Sequence, residues 1–146
     1  MRWVFKIPVF FYRLGLGPLI GKHFLILTTA GRKTGKTRHT ALEYVYLPED
    51  DAYRIMSGWG GKTDWYQNAR ANPRVSVHVR GESFQAIAEP VPQQEVAEGL
   101  MKVVSLNPKS LIMFSRWAED PIDGTEESFF KAAVNFPSLN LRPIEE

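Results

Sequence analysis

The sequence predicts an α+β domain in which antiparallel strands dominate and short helices lie outside the sheet. Apolar and polar residues alternate with period two along residues 74–80, as in a half-buried strand. Other apolar or β-branched runs are joined by short turns rich in Gly, Pro and Asp, as in hairpins. A chain of 146 residues with 44% hydrophobic content fits one globular domain. So small an antiparallel sheet is expected to manage its edges by curling into a barrel.

Five strands are predicted before residue 92, and a sixth near the carboxyl end. They cover residues 23–30, 36–47, 52–57, 74–80, 83–91 and 139–143. Apolar residues at helical spacing, with proline at the boundaries of the first two segments, predict helices. These cover residues 63–71, 92–105, 110–118 and 126–134.

Residues 1–21 are predicted to form an amphipathic segment ahead of a single cofactor-binding domain over residues 22–146. Charged residues, glycines and prolines interrupt the apolar run, so neither a secretory signal nor a membrane-spanning helix is expected. Two alternatives stay open. The segment packs on the domain or on a dimer partner, or it makes peripheral contact with an anionic membrane surface.

The chain contains no cysteine, which excludes disulfides and cysteine-ligated metal sites. Its three histidines lack the paired spacing of metal ligands, so no metal is expected. A reducing, cytoplasmic location is compatible with this composition, with association at the inner membrane face left open.

Charge is distributed unevenly along the chain. Residues 1–42 contain eight Lys or Arg and no Asp or Glu, whereas the remainder contains ten bases and sixteen acids. This polarity favours an anionic ligand at one end of the molecule.

The basic region includes a glycine-bracketed turn, GRKTGKTR, at residues 31–38. Four cations and two threonine hydroxyls, with glycines that admit close backbone approach, suit an anion such as a phosphate. The turn differs from the phosphate-loop pattern because Ala30 replaces the first glycine and a strand, not a helix, is predicted to follow. Residues 28–43 contain no aromatic residue, so nucleic acid is not the expected partner.

A second informative segment is SGWGGKTDWYQN at residues 57–68. Three glycines after a strand allow backbone N–H groups to line a concave site beside a flat ligand. The alternative is structural, with Trp59 and Trp65 in the core, Asp64 capping a helix and Ser57 at a strand end. No nucleophile-elbow pattern surrounds Ser57, which gives covalent hydrolysis little support.

The two segments together resemble the deazaflavin-dependent oxidoreductases, the family that contains the deazaflavin-dependent nitroreductase of mycobacteria and whose fold is related to FMN-binding, pyridoxamine-phosphate-oxidase-like domains. The resemblance is carried by residues 27–35, Arg38, Leu42 and residues 57–61, 65–68 and 71–73. It implies a split β-barrel and coenzyme F420, with hydride transfer to a small or lipophilic acceptor such as a quinone, enone or nitroaromatic. The protein would supply binding and orientation, because the cofactor carries the chemistry.

The resemblance also implies site residues. The basic turn would hold the anionic tail of the cofactor, and the glycine segment would lie along it. The implied cofactor-binding residues are Arg32, Lys33, Thr34, Arg38, Thr40, Ser57, Gly58, Gly60, Gly61, Trp65 and Asn68. Apart from the resemblance, Ser57 and Tyr66 are the predicted catalytic residues, as hydroxyls near the motif that would deliver a proton, with solvent as the alternative source.

Other interpretations stay open. An FMN-dependent oxidoreductase would use the same fold and cationic turn, and a non-catalytic ligand-binding barrel would keep the pocket without turnover. Split-barrel relatives are often dimers, so a homodimer is also considered. The acceptor is not determined, because Ala41 and the short loop at residues 62–64 depart from the nitroreductase members.

Overall fold

The computed structural model describes residues 24–119 and 121–144, so the predicted amphipathic segment at residues 1–21 lies outside the described residues. Over the described residues, seven antiparallel strands form one sheet in the order β2-β1-β5-β6-β7-β4-β3. The strands are β1 Phe24–Ala30, β2 Thr37–Glu43, β3 Val45–Leu47, β4 Ala52–Met56, β5 Arg74–Val79, β6 Glu82–Pro90 and β7 Ser138–Pro143.

Among the residues that the structure describes, four α-helices accompany the sheet. They are α1 Asp64–Ala71, α2 Gln93–Leu106, α3 Ser110–Trp117 and α4 Glu126–Ala132. Short 3₁₀ turns lie at Trp59–Gly61 and Ala133–Asn135. The second of these takes up the last residues of the helix predicted over 126–134. Within the described ranges, no helix has the length and apolar character needed to cross a bilayer.

The sheet closes on itself at Tyr44. Strands β2 and β3 lie at opposite edges of the sheet order, yet this one residue separates them in the chain. The two edges must therefore meet there, which curls the sheet into a barrel. The prediction of one strand over residues 36–47 was wrong in this respect, because the chain stops pairing with β1 and begins pairing with β4.

The barrel interior is filled by alternate residues of the strands. Val75, Val77 and Val79 of β5 are buried, as the alternation predicted, and Leu25 and Leu27 of β1 face them in the same core. Burying each such side chain fully contributes about 1.5–3 kcal/mol relative to leaving it exposed. This core holds β1 and β5 side by side and so fixes where the β1–β2 hairpin emerges.

A second apolar cluster lies among α2, α3 and α4. Phe114 of α3 and Phe136 meet edge to face with centroids 5.4 Å apart, and both are buried. Arg54 of β4 ties this helical layer to the sheet. Its guanidinium donates to Asn140 Oδ1 of β7 at 2.8 Å and pairs with Glu95 Oε2 of α2 at 3.1 Å.

Candidate functional site

A cleft of about 610 Å³ lies between the β1–β2 hairpin and α1. The hairpin is part of the barrel sheet, and α1 packs against the barrel because Trp65 and Ala69 belong to its core. The cleft is lined by Gly31, Arg32, Lys33, Thr34, Arg38, His39, Thr40, Asp64, Trp65 and Asn68. The cationic turn and the start of α1, separated by some thirty residues in the chain, therefore form one site.

Backbone hydrogen bonds close the cationic turn. Gly31 N–H donates to the Lys36 carbonyl at 2.7 Å, and Gly35 N–H donates to the Gly31 carbonyl at 2.8 Å. Gly35 has φ +72°, a left-handed conformation that glycine adopts readily. A Cβ at Gly31 would lie 3.2 Å from the Lys36 carbonyl oxygen. Small residues at these two positions thus permit a tight turn that carries four cations.

Arg32 is held against α1 by two residues of that helix. Its backbone N–H and its Nη1 donate to Asn68 Oδ1 at 3.2 Å and 2.8 Å. Its Nη2 pairs with Asp64 Oδ1 at 3.3 Å. Asn68 is buried, so its amide oxygen is a fixed acceptor. These bonds set the position of the turn relative to the helix.

Lys33 and Arg38 are the uncompensated charges of the cleft. Across residues 24–119 and 121–144, no ion pair engages either side chain, whereas Asp64 balances Arg32. Both side chains are exposed and line the cleft together with the threonines Thr34 and Thr40. Two unpaired cations beside hydroxyl groups form a donor set for an anion.

His39 also lines the cleft, and its Nδ1 lies 2.7 Å from Thr28 Oγ1 on the neighbouring strand. The pair forms because Thr28 and His39 are directly opposite in the β1–β2 register. Burial lowers the pKa of His39 below its ordinary value of 6.5. The imidazole is therefore mainly neutral at pH 7 and acts as a hydrogen-bonding group.

Within the segment at residues 57–68, Asp64, Trp65 and Asn68 line this cleft, whereas the serine and the glycines, Ser57, Gly58, Gly60 and Gly61, are not among its lining residues. Ser57 is 1% exposed, and its hydroxyl donates to the Gly58 carbonyl at 3.0 Å and lies 2.8 Å from Thr63 Oγ1. Gly61 has φ +83°, and a Cβ there would approach Tyr66 Cε2 to 2.9 Å and Pro137 Cγ to 3.0 Å. In these contacts the segment joins β4 to α1 by close packing.

Tyr66 is not among the residues that line the cleft. Its ring meets Trp65 edge to face at 6.0 Å, and its hydroxyl accepts a hydrogen bond from Arg70 Nη1 at 3.4 Å. Trp65 itself is buried in the barrel core and also lines the cleft. Trp65 can therefore be a core residue and a cofactor-binding residue at the same time.

The structure therefore gathers part of the predicted site. The cleft brings together Arg32, Lys33, Thr34, Arg38, Thr40, Trp65 and Asn68. It does not include Ser57, Gly58, Gly60, Gly61 or Tyr66 in its lining.

Sequence reasoning did not assign Gly31, His39 or Asp64 to the site. Asp64 was considered as a helix cap, and its partner Arg32 is distant in sequence. His39 could have been assigned by pairing the two predicted strands of the hairpin, because their register places it opposite Thr28. Within the described residues, no group of three or more His, Asp or Glu side chains could hold a metal ion.

Comparison with known proteins identifies relatives. The family model described as F420H(2)-dependent quinone reductase matches residues 12–120. An F420H(2)-dependent quinone reductase of Mycobacterium tuberculosis is 40% identical over 70 residues, which cover 46% of each chain. A putative F420H(2)-dependent quinone reductase of Mycobacterium bovis matches to the same extent. The chain thus matches about half the length of these curated relatives.

Solved structures show the same fold. The F420-H2 dependent reductase FDR-A has a TM-score of 0.56 at 22% identity, covering 83% of this chain and 95% of that chain. A pyridoxamine 5′-phosphate oxidase-related, FMN-binding protein of Nostoc punctiforme has a TM-score of 0.59 at 13% identity, covering 99% and 82%. These likenesses confirm the predicted FMN-binding-like split barrel. Since the family model spans most of the sequence, the chain belongs to the F420H(2)-dependent quinone reductase family.

Proposed function

We propose that this chain is an F420-dependent reductase that binds the anionic tail of the cofactor in the cleft between the β1–β2 hairpin and α1. The observation that carries the proposal is the pair of unbalanced cations, Lys33 and Arg38, in that cleft. A phosphate-bearing, carboxylate-rich tail requires cations and hydrogen-bond donors. The residues that line the cleft supply both, so they fit the group.

The cleft residues have distinct roles in this proposal. Lys33 and Arg38 make charge-assisted contacts with the tail, and the hydroxyls of Thr34 and Thr40 add hydrogen bonds. Arg32 acts first as a positioning residue, because its guanidinium already bonds Asn68 and Asp64. Guanidinium has five N–H donors, so Arg32 keeps further donors for the anion while it is held.

Asn68 is assigned a positioning role rather than direct contact with the cofactor. Its one amide oxygen receives both the backbone and the side chain of Arg32. This fixes the turn before the ligand arrives, which reduces the entropy lost on binding. Trp65 supplies an apolar wall beside these polar groups.

Reduced F420, when bound, supplies a hydride to the acceptor. The chain must then provide or admit a proton, and Ser57 and Tyr66 are the proposed sources. Tyr66 is the better candidate, because its hydroxyl accepts from Arg70 and keeps its own proton available. The Ser57 hydroxyl is buried and hydrogen-bonded to Gly58 and Thr63, so we assign it a supporting role.

We propose a quinone as the acceptor, in line with the names of the relatives. The decisive experiment mixes the purified full chain with reduced F420 and menadione and follows the return of oxidised deazaflavin absorbance. Catalytic turnover is expected, with no comparable rate when reduced FMN replaces F420. Tight binding of FMN together with no measurable binding of F420 would overturn the proposal in favour of a flavin enzyme.

A homodimer, a cytoplasmic location and membrane contact through residues 1–21 stay predictions. Sedimentation velocity of the full chain at several concentrations tests the first of these directly.

A further inference from the structure

The outward face of α3 exposes large apolar side chains. Ile112 is 63% exposed and Met113 44% exposed, and Leu106, at the end of the preceding helix α2, is 78% exposed. The opposite face of α3 is buried, because Phe114 and Leu111 pack into the helical cluster. The helix is thus anchored by one face while the other presents apolar groups to the surroundings.

Cations flank these apolar side chains. Lys109 and Arg116 lie three residues before and four residues after Ile112, so all three share one face of the α3 region. Lys102 stands one helical turn before Leu106 on α2. In the part of the chain that the structure describes, no ion pair engages any of the three cations.

The charge of this region differs from that of the rest of the chain after residue 42. Residues 99–118 contain these three cations and no Asp or Glu, although acids outnumber bases by sixteen to ten after residue 42. Glu98 and Glu119 lie just outside this range, so the apolar side chains have three cations beside them and the acids stand at the two ends of the region. An apolar surface with a local excess of positive charge is complementary to a surface that is negative outside and apolar beneath.

We propose that this face docks on an anionic lipid bilayer. The docking face consists of Lys102, Leu106, Lys109, Ile112, Met113 and Arg116. Its apolar tips enter the interfacial layer, and its cations contact the phosphates of the headgroups. The face is separate from residues 1–21 and requires no bound cofactor, so it stands independently of the redox proposal.

A second copy of the chain fits this face less well than a bilayer does. Symmetric pairing through the docking face would bring Lys109 and Arg116 towards the same cations of the other copy, with no carboxylate between residues 99 and 118 to compensate. Anionic lipid neutralises the same charges. Docking would also place the protein where lipophilic acceptors dissolve.

Flotation of the full chain with lipid vesicles tests the proposal. Vesicles of phosphatidylcholine alone are compared with vesicles that also contain phosphatidylglycerol, at low and at high salt. We expect binding only to the anionic vesicles, weakened by salt. Replacing Lys109 and Arg116 together by Gln should lower the partition coefficient about tenfold or more.

A second pair of substitutions tests the apolar contribution. Ile112→Gln with Met113→Gln should reduce binding about tenfold or more. The matched control is Phe130→Gln with Val134→Gln, since these two side chains on and beside α4 are 41% and 54% exposed and lie outside the docking face. The control should bind as the unmodified chain does.

A labelled variant keeps the proposal testable if a substituted chain fails to fold. The sequence has no cysteine, so Met113→Cys can carry a single environment-sensitive fluorophore, with Phe130→Cys as its control. We expect a blue shift with anionic vesicles for the first label only. The proposal is overturned if the unmodified chain does not bind anionic vesicles, or if both α3 double variants bind them as the unmodified chain does. It is also overturned if the only effect of these double variants is to dissociate a dimer.

Discussion

Lys33 and Arg38 present two positive charges to the cleft and take part in no ion pair within residues 24–119 and 121–144, whereas Arg32 is already paired with Asp64. Charge-assisted hydrogen bonds contribute about 1.5–3 kcal/mol each. Because both side chains are exposed, solvent and salt reduce that contribution. This difference in pairing separates the residues that contact the anion from the residue that positions the turn.

We expect Lys33→Gln with Arg38→Gln to raise the Kd for F420 about tenfold or more, since two unbalanced cations are lost. Quenching of F420 fluorescence at two salt concentrations measures this change. The matched control is Lys131→Gln, an exposed lysine on α4 outside the cleft. Equal affinity of the double variant and the control would remove these two residues from the site.

Asn68 offers a second prediction at the same scale. Asn68→Leu leaves the Arg32 N–H without its buried acceptor and should cost about 1–3 kcal/mol of the free energy of unfolding. It should also weaken F420 binding, because the turn loses its attachment to α1. Asn68→Asp keeps an acceptor oxygen beside the guanidinium and should restore most of the stability, whereas its negative charge in the cleft should still weaken F420 binding.

Urea denaturation and F420 titration of the two Asn68 variants check this. If Asn68→Leu binds F420 with unchanged affinity although it is less stable, the residue is structural and has no positioning role. If the Asp variant is as unstable as the Leu variant, the acceptor bond to Arg32 is not the reason for the lost stability.

The elements follow the sequence pattern closely where local rules decide. Predicted strands at residues 52–57, 74–80 and 83–91 correspond to β4, β5 and β6, because period-two alternation and tight turns set their limits. The cationic turn was correctly expected to connect a hairpin. The division of the predicted strand into β2 and β3 at Tyr44 could not be predicted from the local sequence. It depends on the pairing of β3 with β4 rather than on the strand propensity of these residues.

The candidate site, too, could be predicted from the sequence only where neighbouring residues form it. The charged turn is visible in the sequence because its four cations lie within residues 32–38. The contacts of Arg32 with Asn68 and Asp64 join segments that only the barrel brings together. The three glycines after β4 predicted a concave ligand site, yet the contacts of this segment in the structure are those of a packed connection between β4 and α1.

Gly60 and Gly61 test that packing as a matched pair. Both have positive φ, 62° and 83°, but a Cβ at Gly60 meets no atom within 4 Å, whereas at Gly61 it meets Tyr66 and Pro137. Gly60→Ala should cost about 1–2 kcal/mol of stability through backbone strain alone. Gly61→Ala should cost a further 1–3 kcal/mol, roughly, through overpacking.

Urea midpoints of the two glycine variants measure the difference. Equal destabilisation would show that the ring of Tyr66 moves aside without cost, and that the segment is looser than its contacts indicate. A larger effect at Gly60 would contradict the packing argument altogether.

At the scale of the whole molecule, the barrel depends on a seam where its two edges meet. Tyr44 occupies that seam, between β2 and β3, and packs edge to face on Tyr53 with centroids 5.6 Å apart. The ring is buried in the barrel core. Within the described residues, its hydroxyl has no hydrogen-bond partner. The ring and the hydroxyl therefore act on stability in opposite directions.

Tyr44→Phe should leave the free energy of unfolding unchanged or raise it by about 1 kcal/mol, because a buried hydroxyl without a partner costs about 1–3 kcal/mol. Tyr44→Ala should lower it by about 3–5 kcal/mol, because it opens a cavity where the sheet closes. Urea denaturation measures both, and since the seam joins both edges of the barrel, the loss should appear as one cooperative transition. Destabilisation of the Phe variant by more than about 1 kcal/mol would show that the hydroxyl is bonded in solution and that the seam is held by a polar contact.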